Sequence, residues 1–135
     1  DPLGRWSRGP YSIPHAFNAA LGIALGAGLR LDLRYSVASG TPYTPLDEEA
    51  SRAAGTGVYA ADRAWSARSP RYEKVDLRLE AGRRVGTSQV TGYAELANVL
   101  GRRNAFGVRW NPVDGMAMAV EGMGRLPMAG VSVTF

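Results

Sequence analysis

The chain has no cysteine and only one histidine among its 135 residues. Without cysteine there is neither a disulfide framework nor a thiolate metal site. His15 has no second histidine with which to share a metal, and it reads as a strand-start residue at an interface. Long apolar runs are missing too. A membrane-spanning helix needs about 20 apolar residues, and the longest stretch here, Ala19–Leu29, is interrupted by Gly22, Gly26 and Gly28. Each interior glycine costs a helix about 1 kcal/mol relative to alanine. No segment joins a 3.6-residue apolar period to capping residues, so no helix is expected to cover a sheet.

Catalytic and ligand-holding patterns are equally scarce. Ser36, Ser39 and Ser132 sit in no Gly-x-Ser-x-Gly elbow. Gly26-Ala27-Gly28 lacks the spacing of a nucleotide loop. Asp47-Glu48-Glu49 lacks the alternate ligand spacing of a calcium loop and reads as a solvated acidic turn. The expectation is therefore no enzyme, with no catalytic, cofactor-binding or metal-binding residue. The 16 basic residues, of which only Lys74 is a lysine, outnumber 12 acids for a net charge of +4. They are spread through every segment, often beside acids, rather than gathered in the patch that nucleic acid requires. Nucleic acid is not an expected partner.

What the chain does have is period-two alternation, the mark of strands with two unlike faces. The last residues, Met128–Phe135, set Ala129, Val131, Val133 and Phe135 against Met128, Gly130, Ser132 and Thr134. Leu29–Ser39 is sharper, with Leu29, Leu31, Leu33, Tyr35 and Val37 opposing Arg30, Asp32, Arg34, Ser36 and Ala38. Tyr72–Ala81 opposes Val75, Leu77, Leu79 and Ala81 to Lys74, Asp76, Arg78 and Glu80. His15–Leu25, Gln89–Ala97 and Ala105–Trp110 complete six segments, with Glu95 and Arg109 on the polar faces of the last two. Gly26-Ala27-Gly28 reads as a tight hairpin connection, Gly40–Pro70 as a long irregular one and Asn111–Pro127 as a Gly/Met-rich loop. Met116, Met118 and Met123 fit a loop packed on its own apolar residues better than adaptable ligand contacts.

Successive charges along one face cannot lie in a dry core without a heavy desolvation penalty. That face must be wet, and the Leu/Val face must be covered by something other than a helix. Aromatic residues gather near strand ends (Phe17, Tyr35, Tyr72, Phe106, Trp110, Phe135), as in the interfacial girdles of membrane barrels. The fold class expected is all-β: an antiparallel up-and-down meander of five or six strands, part of a larger transmembrane β-barrel.

Five motifs in order carry a family resemblance: Ile13-Pro14-His15, Ser39-Gly-Thr-Pro-Tyr-Thr-Pro45, Tyr72-Glu-Lys-Val-Asp76-Leu-Arg78-Leu, Tyr93-Ala-Glu-Leu-Ala-Asn98-Val-Leu-Gly-Arg-Arg-Asn104, and Gly124-Arg-Leu-Pro127 leading to Phe135. Across its length the chain resembles the C-terminal barrel end of TonB-dependent outer-membrane receptors, active transporters of siderophores, cobalamin and glycans. The resemblance implies that residues 1–135 are one wall segment, excised, processed or truncated from a longer chain with a plug and earlier strands. It implies a cell outer-membrane location and contact with outer-membrane lipid. The barrel-assembly machinery would be met through the terminal strand, with Phe135 as assembly signal, and TonB only through N-terminal parts not included here. Arg30, Asp32, Arg34, Lys74, Asp76, Arg78, Glu80, Glu95 and Arg109 would face the lumen. Leu29, Leu31, Leu33, Val75, Leu77, Leu79, Val131 and Val133 would face lipid.

Two topologies fit. If all six segments span, Gly40–Pro70 falls on the side where turns are short. If Ala105–Trp110 is a ribbon in the last outer loop, five strands span and both long connections lie outside, the preferred arrangement. The alternatives are a small structural or adhesive outer-membrane barrel and a soluble ligand-binding β-barrel with its Leu/Val face turned inward.

Overall fold

The structure, a computed structural model, describes residues 9–135 and divides them into two compact units. One unit is a five-stranded antiparallel sheet with strand order β1-β2-β5-β6-β9. Its strands are β1 (Ala16–Gly26), β2 (Leu29–Ala38), β5 (Tyr72–Val85), β6 (Ser88–Ala97) and β9 (Leu126–Thr134). The other unit holds two short ribbons, β3 (Pro42–Tyr43) with β4 (Ala67–Arg68) and β7 (Ala105–Asn111) with β8 (Met116–Glu121). It also holds helix α1 (Glu48–Ala54) and a 3-10 turn at Ala61–Arg63.

The sheet is a meander whose order in space is its order in sequence. At one end its turns are minimal. Gly26, Ala27 and Gly28 connect β1 to β2 with φ of 86°, 50° and 77°, the left-handed backbone that a tight hairpin demands and glycine supplies. Gly86, at φ 60°, begins the equally short turn from β5 to β6. At the opposite end the chain leaves the sheet for residues 39–71 after β2 and for residues 98–125 after β6. β9 then runs back so that Phe135 ends beside the short turns.

Three sequence expectations are corrected here. The segment Gly40–Pro70 is ordered rather than irregular, and it contains a capped helix. The Asp47 carboxylate accepts from the Ala50 amide at 3.0 Å, and Gly55 closes the helix at φ 66°. Asp47-Glu48-Glu49 is thus an N-cap and an acidic first turn, with the charges placed where the helix dipole favours them. The Ser51 side chain, fully buried, accepts from the Val58 amide at 2.9 Å and ties the helix to the returning chain. In Asn111–Pro127 the Met-Ala alternation forms β8, which pairs with β7 across a bulge between Ala105 and Gly107. β5 runs four residues beyond Ala81, to Val85. Of the two topologies, the one with five sheet strands and a separate β7–β8 ribbon is observed.

Burial is sparse. Among the described residues the buried apolar side chains include Pro42, Leu46, Ala60 and Ala97. The sheet is open, with β1 and β9 as its edges, and the described residues close no barrel.

Candidate functional site

Strand register assigns the faces. Directly opposed residues share a face, so Leu77–Leu96–Pro127, Leu79–Ala94–Ala129, Ala81–Gly92–Val131 and Arg83–Val90–Val133 are rows on one side. Arg78–Glu95–Met128, Glu80–Tyr93–Gly130 and Gly82–Thr91–Ser132 are rows on the other. Arg30, Asp32 and Arg34 of β2 line one groove with Asp76, Arg78 and Glu95, which places them on the polar side. By alternation Leu29, Leu31 and Leu33 lie on the apolar side with Val75, Leu77, Leu79, Val131 and Val133.

The polar face is a set of paired charges. The Arg30 Nε donates to both Asp32 carboxylate oxygens at 2.9 Å. Lys74 lies 3.0 Å from Asp76, and Arg78 reaches Glu80 at 3.0 Å and Glu95 at 3.5 Å. Positions i and i+2 of a strand share a face, so the acid and base two residues apart meet without leaving it. Two further contacts need a neighbouring strand. The Arg78 guanidinium stacks over the Tyr93 ring at 3.8 Å, a cation–π contact. Gly22 of β1 lies under Arg30 and Asp32, where any side chain would collide with both. Half-exposed pairs of this kind contribute about 0–1 kcal/mol each, so their effect is to keep the face wet and charge-balanced. The groove above them encloses about 590 Å³.

The apolar face reverses the usual relation between polarity and exposure. In β5, Lys74, Asp76, Arg78 and Glu80 are half-buried, while Leu77, Leu79 and Ala81 are exposed. Leu79 is 45% exposed, Leu21 56% and Val131 74%. Contiguous apolar area of this extent is rare on proteins surrounded by water.

Both ends of the apolar face carry polar or aromatic residues. At the long-connection end the Phe17 and Tyr35 rings meet at 6.3 Å and 56°. Tyr35 donates to Glu73 at 2.9 Å, and Arg102 pairs with Glu73. At the short-turn end are Arg83, Val85 and Phe135, the last 97% exposed just beyond the end of β9.

Eight of the nine charged candidates are therefore together on one face. The exception is Arg109, which lies in β7 opposite Met118, in the ribbon and not in the sheet; a separate ribbon shares no face with the charged row, even though Arg109 alternates with apolar neighbours as that row does. Asn98 stands in one of the five motifs, but the sequence gives it no role of its own, because a lone asparagine in a turn carries no chemical pattern. It is 4% exposed, at φ 55°, and its side-chain amide donates to the carbonyls of Arg102, Met123 and Gly124 at 2.8, 3.1 and 3.1 Å. One side chain thus clamps the exit and return of the connection between β6 and β9. Its backbone amide donates to Asp76 at 2.8 Å, joining the clamp to the charged face.

No known family, curated protein or solved structure matches the chain.

Proposed function

We propose that this chain is a wall segment of an outer-membrane active transporter of the TonB-dependent kind. Its charged face lines the hydrated interior, its Leu/Val face meets lipid, and it is not itself catalytic. The observation that carries this reading is the inverted sheet, with exposed Leu77 and Leu79 alternating with ion-paired, half-buried Asp76, Arg78 and Glu80. A hydrocarbon surround makes such a face favourable, since lipid-facing and lumen-facing residues alternate in membrane barrels. The connections support it: short turns on the end that carries Phe135 and long ones on the other repeat the periplasmic and extracellular asymmetry of such barrels. A soluble ligand-binding barrel would need the Leu/Val face turned inward.

Because the chain lacks cysteine, single cysteines carrying spin labels test the reading directly. Labels at Leu77→Cys, Arg78→Cys, Leu79→Cys and Glu80→Cys, in protein recovered from outer membranes, should alternate between oxygen-accessible lipid and water. Uniform water accessibility at all four would overturn the proposal. A second experiment separates a large wall from a small closed barrel. Ala20→Cys in β1 and Ser132→Cys in β9 should not cross-link, because each edge pairs with other strands. An efficient disulfide, which needs Cα atoms within about 7 Å, would show that β1 and β9 close on each other.

A further inference from the structure

Arg83 is the one charged residue between Val75 and Val85 that falls on the apolar face, in the row with Val90 and Val133. It is exposed, and no ion pair between described residues includes it. Its neighbour Arg84 is also exposed but lies on the opposite face, across from Gln89. A guanidinium on the apolar face with no acid beside it is placed to pair with an anion at the level where its stem brings the charge out.

The spacing says which anion. On β5 the apolar face is bounded by Glu73, held by Tyr35 and Arg102, and by Arg83. About ten residues at ~3.3 Å each separate them along the strand. At a tilt of about 45° that is roughly 23 Å across a bilayer, close to the ~25 Å apolar band of outer-membrane barrels. Between the two bounds β5 presents only Val75, Leu77, Leu79 and Ala81 on this face. Arg83 therefore stands where the hydrocarbon ends on the short-turn side, and its three-methylene stem lets the charge rise out of the acyl layer.

We propose that Arg83 docks the phosphate of an anionic phospholipid headgroup and so fixes the depth of the sheet on its short-turn side. The inference rests on the wall-segment reading above. It goes beyond that reading by naming the partner's chemistry and the residue that meets it.

The test uses the full chain, diluted from urea into vesicles of phosphatidylcholine alone or of phosphatidylcholine mixed with phosphatidylglycerol, at low salt. Flotation measures the bound fraction. The unsubstituted chain should prefer the phosphatidylglycerol vesicles. Arg83→Gln should lose about fivefold of that preference, the value of about 1 kcal/mol for one arginine at an anionic surface. Arg83→Lys should keep most of it, and Arg84→Gln should keep all of it. Sodium phosphate should weaken binding no more than sodium chloride of equal ionic strength.

Equal losses in Arg83→Gln and Arg84→Gln would mean general charge attraction and overturn the proposal, as would no loss in Arg83→Gln. Specific competition by phosphate would move the site to a free anion and overturn it too. If the unsubstituted chain floats with neither vesicle, the wall reading itself fails. If it floats with both and Arg83→Gln matches it, only the present inference fails.

Discussion

The ring of Tyr93 lies across the backbone of Gly130, its directly opposed partner in β9. A β-carbon at residue 130 would stand 2.5 Å from the ring edge. The ring is also held by Arg78, whose guanidinium lies 3.8 Å from its centroid, so it cannot yield freely. Gly130→Ala should destabilise the folded sheet by about 1–3 kcal/mol, the range for overpacking. Tyr93→Ala combined with Gly130→Ala should lose less than the sum of the two single changes, because the collision is then gone. Urea midpoints in vesicles measure both, and strict additivity would refute the pairing.

Asn98 gives a graded series. Asn98→Ala loses the ties to three carbonyls and keeps a strained left-handed backbone, for about 2–4 kcal/mol from unmade buried hydrogen bonds and the strain together. Asn98→Gly removes the strain alone and should fall between Ala and the parent. Asn98→Asp turns an acceptor toward three acceptors and should be the worst. Protease cleavage within residues 99–125 should rise in the same order; indifference to all three changes would remove the clamp.

In the proposed membrane setting, a charge on the Leu/Val face should be penalised by depth. Leu79→Arg, near the middle of the apolar band, is expected to destabilise vesicle-inserted protein by about 2–4 kcal/mol, and Val85→Arg at its margin by about 0–1 kcal/mol. Equal effects at the two positions would contradict the placement of the bilayer.

Outside lipid or detergent the chain should not persist as a stable monomer. Two free strand edges and an open apolar face are association hazards. A monodisperse monomer in plain buffer, unfolding cooperatively in sedimentation and denaturant experiments, would count against the whole membrane reading.

Phe135 lies just past the last paired residue of β9 and is almost fully exposed, so its removal forfeits little packing. In the proposed outer-membrane setting the terminal strand is offered as an unpaired edge, read by main-chain hydrogen bonds and alternate side chains. Deleting Phe135 should reduce heat-modifiable folded protein in outer membranes far more than it reduces intrinsic stability. Phe135→Tyr should be tolerated and Phe135→Asp should not. Unchanged amounts for the deletion and for the Asp variant would deny the residue an assembly role.

Legibility in the sequence followed the contrast between faces. β2 stands out because leucine and charge alternate without a break. β5 looks four residues too short because Arg83 occupies an apolar-face position and ends the visible alternation. β8 is hidden because Met116, Ala117, Met118 and Ala119 are all apolar, so no polar face marks the strand. α1 spans too few turns to show a period, although both of its signals, Asp47 before and Gly55 after, stand in the chain. The charged row could be read strand by strand. Contacts that cross strands, such as Arg78 with Glu95 and with Tyr93, Tyr93 on Gly130 and Gly22 beneath Arg30, depend on register, which no single strand encodes.

The unequal connections also set an order of assembly. The β1–β2 and β5–β6 hairpins close through minimal turns and can form in about 1–10 μs. Joining β2 to β5 and β6 to β9 requires residues 39–71 and 98–125 to be looped out first, an entropic toll incurred before any pairing energy returns. The sheet is thus made of two quick local pieces and a slow final seam. A kinetic trap, if one forms, holds β1–β2 and β5–β6 complete while β9 is still unpaired.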